Sequence, residues 1–98
     1  MLTSRVRNEL ELLKRHIIVL RKVMDSGPIG IMKLSMETKI PDHQVRYSLR
    51  VLEQQGLITP TTQGAVASKS AHEAHSGFNT EFGKIREMMT DIEETGSE

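Results

Sequence analysis

Apolar residues near the start of the chain fall at Val6, Leu10, Leu13, Ile17, Leu20 and Met24, spacings of 4, 3, 4, 3 and 4 that keep them on one face of a helix from Thr3 to Met24. Leu12, Val19 and Val23 add an adjacent stripe. The apolar face is therefore wider than a two-stranded seam needs, and is expected to touch both its own domain and something else. Asp25-Ser26-Gly27-Pro28 should end this helix, with Gly27 as a left-handed cap and Pro28 unable to continue it.

Ile31, Leu34 and Ser35 then suit a short helix that starts at Gly30 and runs to about Thr38. Lys39-Ile40-Pro41-Asp42 reads as a connection, because Pro41 disfavours helix at Ile40 and fits a first helical turn. A third helix is expected from about Asp42 to Gln55, with Val45, Ser48, Leu49 and Leu52 inward and Gly56 as its cap residue. Leu57-Ile58-Thr59 reads as a strand, Pro60 to Gly64 as a turn region, and Ala65-Val66-Ala67 as the returning strand.

Beyond the hairpin, Ala71, Phe78, Ile85 and Ile92 recur every seven residues, with His75, Phe82 and Met89 at the matching second position. One long C-terminal helix accounts for this pattern. Ser70 and Glu73 have capping-box spacing at its start, Gly77 and Gly83 oppose continuity, and Glu93 to Glu98 should fray. The expected division is residues 1–69 as one domain including the N-terminal helix, and residues 70–98 as a dimerisation helix.

Composition narrows the class. The 98 residues contain no cysteine, which removes disulfides and thiolate chemistry. Only three aromatic residues place the weight of the core on Ile, Leu, Val and Met. The longest apolar run, Ile17 to Leu20, is flanked by Lys14, Arg15, Arg21 and Lys22, far short of the roughly 20 residues of a membrane span, so a cytoplasmic protein is expected. Net charge is zero but segregated: residues 1–60 hold ten Lys/Arg against six Asp/Glu, and residues 61–98 hold three against seven.

The segment from Gly27 to Leu34, followed by Ile40-Pro-Asp-His-Gln-Val-Arg-Tyr-Ser-Leu-Arg-Val-Leu-Glu-Gln-Gln-Gly-Leu-Ile58, resembles the winged-helix transcriptional regulators, particularly small archaeal ones. The most specific part is Val45-x-x-x-Leu49-x-x-Leu52-Glu53-x-x-Gly56-Leu57-Ile58, which is similar to a recognition helix leading into the first wing strand. The fold this implies is mainly α: a winged helix-turn-helix with a short β-hairpin wing, plus N-terminal and long C-terminal helices that form a dimer. The function it implies is sequence-specific binding of double-stranded DNA by a homodimer that regulates transcription. A winged-helix module that binds protein within a larger transcription-related assembly is the alternative.

At 100° per residue, the inward set of the third helix leaves His43, Arg46, Tyr47 and Arg50 opposite, with Gln44 at the flank. Arg can be bidentate to guanine, Gln to adenine, and Tyr can bond phosphate. Lys33 and Lys39, around the short helix, are candidate phosphate contacts. The hairpin tip, Thr61-Thr62-Gln63-Gly64, carries no cation. Leu10 and Ile17 on the first helix, and Phe78, Phe82, Ile85, Met89 and Ile92 on the last, are the candidate dimer residues. His72 and His75 share a helix face, a weak metal signal with no third ligand nearby. No catalytic motif, cofactor motif or small-molecule site is identifiable.

Overall fold

A computed structural model of the chain describes residues 1–96. Six elements follow in order: α1 (Ser4–Ser26), α2 (Ile31–Thr38), α3 (Asp42–Gln54), β1 (Ile58–Thr61), β2 (Gly64–Ala67) and α4 (Lys69–Thr95). The molecule is mainly helical, with one antiparallel hairpin between α3 and α4 in the register Ile58 to Ala67 and Thr61 to Gly64. No helix among the described residues is long and apolar enough to cross a membrane.

The core gathers one to three residues from every element. Val19, Leu20 and Val23 of α1 meet Leu34 of α2, Val45 and Leu52 of α3, Ile58 and Ala65 of the hairpin, and Ala71 of α4. Both stripes of α1 enter this core, the second through Val19 and Val23 and the first through Leu20. The first stripe is buried only towards its C-terminal end, at Ile17 and Leu20, while Val6 and Leu10 are exposed.

Several local expectations are corrected. Gly27 is extended (φ −66°, ψ 149°), not left-handed. Its side-chain position is closed by backbone instead: a Cβ there would lie 2.7 Å from the Val23 carbonyl oxygen and 3.0 Å from that of Ala65. Glycine is thus demanded by the close approach of the α1 end and of the hairpin backbone, and not by a left-handed φ. At the start of α4 the Ser70–Glu73 capping box does not form. The helix begins at Lys69, and Ser68 ahead of it donates its hydroxyl to the Gly56 carbonyl, 2.6 Å away. The hairpin turn is tighter than expected, two residues (Thr62 and Gln63), because the strands take in Pro60, Thr61 and Gly64. Leu57 is left outside β1. Pro60 is tolerated because a two-stranded hairpin is all edge.

Besides the packing of Ile58 and Ala65 in the core, a backbone bridge ties the hairpin to the segment after α1. Ile29 N–H donates to the Ala65 carbonyl (3.1 Å) and Ala65 N–H to the Ile29 carbonyl (2.8 Å), so the segment after α1 acts as a short third strand. Gly56, at φ 73°, supplies the left-handed residue that turns the chain out of α3.

α4 is continuous through Gly77 and Gly83 and through Glu93 to Thr95, where fraying was expected; of that tail, Ser97 and Glu98 lie outside the described residues. Twenty-seven residues make a rod of about 40 Å. It leaves the body of the molecule, whose extents are 57 × 28 × 21 Å. Neither glycine is required by space, since a Cβ at Gly77 meets nothing within 4 Å and at Gly83 only the tip of Arg86, 3.9 Å away. Gly77→Ala and Gly83→Ala are each expected to stabilise the chain by about 0.5–1 kcal/mol, read as a rise in the thermal midpoint.

Candidate nucleic-acid interface

α3 runs with Val45 and Ser48 fully buried, Leu52 nearly so and Leu49 half-buried. This orientation turns the opposite face outward. His43, Arg46, Tyr47 and Arg50 are all exposed on it, and Gln44 is half-buried at its edge. Pro41 precedes the helix and Asp42 lies in its first turn, where a carboxylate complements the partial positive charge of the helix start.

Among the described residues, neither Arg46 nor Arg50 takes part in an ion pair. Both line a cleft of about 580 Å³ between α3 and the hairpin. Its other walls include Ile29 to Ile31 and the hairpin residues Pro60 to Ala65, and its one acidic group is Glu53. Two guanidiniums at the mouth of a concave surface form a local positive site on a chain of zero net charge.

The hairpin tip contributes less than its threonines suggest. The Thr61 hydroxyl donates to the Gly64 carbonyl (2.7 Å) and accepts from Gln63 N–H (3.2 Å), so its hydrogen-bonding capacity closes the turn. Thr62 and Gln63 remain exposed.

The two lysines by α2 are in different situations. Lys33 is exposed but lies 3.9 Å from Glu37, whose other carboxylate oxygen takes Lys22 at 2.7 Å from α1. The Lys22 hydrogen bond, with the charges of Lys22 and Lys33, holds the Glu37 carboxyl below its usual range despite some desolvation. Lys39 sits in the left-handed conformation (φ 61°) at the end of α2 and is exposed. The connection behind it is fastened by the Ser35 hydroxyl, which donates to the Ile40 carbonyl at 2.6 Å.

One residue of this region was not found from the sequence. His16 of α1 hydrogen-bonds through Nδ1 to the Oγ of Ser48 at 2.8 Å, and its ring packs against that of Tyr47, centroids 5.8 Å apart. Ser48 is the one fully buried polar residue of α3, and a buried hydroxyl needs a partner. That need was the available signal; which residue meets it was not. His16 thus props the exposed phenol of Tyr47 from behind and ties α3 to α1.

Burial, then the neighbouring Arg15 charge, lowers the His16 pKa from its ordinary value. A base whose folded pKa is depressed binds fewer protons folded than unfolded, so its contribution to stability is present above the unfolded value, near 6.5, and is lost as pH falls towards the folded one. Stability is expected to drop between about pH 7 and pH 5, and His16→Gln to flatten that part of the profile, measured by denaturant unfolding across the pH series.

The candidate dimer residues divide by position. Phe78 stacks on Phe82 (5.8 Å between centroids) and packs against the core, and Ile17 is 9% exposed, so both are largely used within the chain. Leu10, Ile85, Met89 and Ile92 are exposed. His75, for which a metal role was weak, accepts a hydrogen bond from Arg21 Nε at 3.1 Å. The described residues contain no group of three or more His, Cys, Asp or Glu that could hold a metal ion.

No protein-family model matches the chain, and no curated protein matches it.

Proposed function

We propose that the chain is a winged-helix protein that binds double-stranded DNA, with α3 in the major groove, the β1–β2 hairpin beside it as the wing, and a homodimer presenting two copies of α3 to one site. The observation that carries this reading is the pair of exposed guanidiniums, Arg46 and Arg50, one turn apart on the outward face of α3 and free of ion pairs among the described residues. Tyr47 and His43 flank them on the same face, and Gln44 lies at its edge, a set able to bond base edges and phosphates. Lys39 stands at the end of α2, where helix-turn-helix domains approach the backbone. Regulation of transcription would follow from occupancy of the site.

The test is binding to duplex DNA across a salt series. Contacts to phosphates give a linear fall of log K with log salt, at a slope of about −0.9 per phosphate neutralised. Absence of binding at low salt overturns the proposal and turns the same face towards a protein partner within a larger assembly.

A further inference from the structure

The apolar stripes of α1 and α4 are buried where each helix meets the core and exposed at their far ends. Along α1, exposure rises from Leu20 (0%) and Ile17 (9%) to Leu10 (43%) and Val6 (52%). Along α4 it rises from Ala71 (0%) to Ile85 (37%), Met89 (42%) and Ile92 (64%). The two stripes run in opposite chain directions and meet in an open groove of about 430 Å³, floored by Leu10, Leu13, Ile17, Phe82 and Ile85.

The rim of this groove is cationic. Lys14 and Arg21 stand on the α1 side and Arg86 on the α4 side. None of the three is in an ion pair among the described residues, and the hydrogen bond of Arg21 goes to a histidine nitrogen, which does not balance its charge. The complementary surface is carried by the same chain. From Glu87 to Thr95, α4 holds four carboxylates and no cation, and its apolar positions there are Met88, Met89 and Ile92. Helix geometry puts Asp91 and Glu93 about 100° to either side of Ile92. A helix laid with Ile92 on an apolar floor therefore turns one carboxylate towards each rim.

Resting on the homodimer part of the reading above, we propose that the acidic tip of α4 from a second copy seats in this groove. Ile92 of that copy lies on the floor, and Asp91 and Glu93 face the rim cations Lys14, Arg21 and Arg86. By two-fold symmetry the first copy's tip enters the second copy's groove, so the arms interdigitate as a four-helix bundle and close without leaving a free groove. The alternative seam, with the two α4 helices side by side and their tips together, would set like-charged tips against each other and leave the cationic rims uncovered.

The experiment uses the absence of native cysteine. Disulfides form only where Cα atoms approach within about 7 Å. Full-length Lys14→Cys carrying an affinity tag is co-expressed with untagged full-length Asp91→Cys or Glu93→Cys and mildly oxidised, while the unsubstituted chain is sedimented. All three positions are exposed, so the fold is retained. The expected result is a sedimenting dimer and a tagged–untagged disulfide as the main product with at least one partner variant. A dimer that yields no mixed disulfide with either variant overturns the seating. So does Ile92→Cys alone, if it cross-links chiefly to itself, because that places the tips together. A monomer in sedimentation overturns the homodimer as well, and leaves DNA binding by α3 to be judged on its own salt series.

Discussion

Gly64→Ala is expected to destabilise the fold by about 3 kcal/mol or more, the largest effect of any glycine-to-alanine change in this chain. Two causes act together. Gly64 has φ 125°, a region closed to L side chains. Its Cβ would also lie 2.5 Å from the carbonyl carbon of Ile29, 2.6 Å from its oxygen and 2.8 Å from the nitrogen of Gly30, all backbone atoms that cannot rotate away. Relief would require the hairpin to move off the Ile29 segment, breaking the paired hydrogen bonds between Ile29 and Ala65 that join the hairpin to the body. Gly56→Ala is the control. Its φ is 73°, but nothing lies within 4 Å of the added Cβ, so only the backbone penalty of about 1–2 kcal/mol remains. Equal losses at the two positions, measured by urea unfolding, would show that the close approach at Ile29 is unimportant.

Arg46→Ala combined with Arg50→Ala is expected to weaken binding to a selected duplex by about 30-fold or more, since each well-placed bidentate contact is worth about 1–3 kcal/mol. Both side chains are exposed, so the unfolding free energy should change by no more than about 0.5 kcal/mol. The two ways an arginine can act separate in the data. Loss of a base contact relaxes preference at one position of the site, whereas loss of a phosphate contact weakens all sequences alike and lowers the salt slope by about one unit per residue. Affinity that is unchanged in the double variant would remove α3 as the reading helix. Lys84→Ala, on the far arm and paired with Glu81 at 3.1 Å, should have no effect if only α3 and its surroundings touch DNA.

The four helices and the hairpin were legible along the chain because each rests on a local signal, apolar spacing for the helices and turn residues for the hairpin. Spacings of 3 and 4 mark α1, α3 and α4, and the glycine after α3 marks its end. The outward face of α3 was legible for the same reason: once Val45, Ser48 and Leu52 point inward, helix geometry leaves Arg46, Tyr47 and Arg50 outside. Local signals failed where several answers satisfy one rule. Ser68 and Ser70 both suit the start of α4, and what selects Ser68 is the Gly56 carbonyl, brought near by the hairpin. Gly27 caps α1 by position, yet what asks for glycine there is the closeness of the Val23 and Ala65 carbonyls and not a left-handed φ.

Periodicity thus told which faces are apolar, and the residue types told which face carries the cations. It could not tell how far along each helix the apolar face is covered, because burial depends on what the chain brings alongside. The tertiary structure alone decides that the stripes of α1 and α4 go bare towards Val6 and Ile92, that Ser48 is answered by His16 thirty-two residues earlier, and that the hairpin pairs with Ile29. Each is a contact between residues far apart in sequence, and such contacts leave no repeat in the chain to be read.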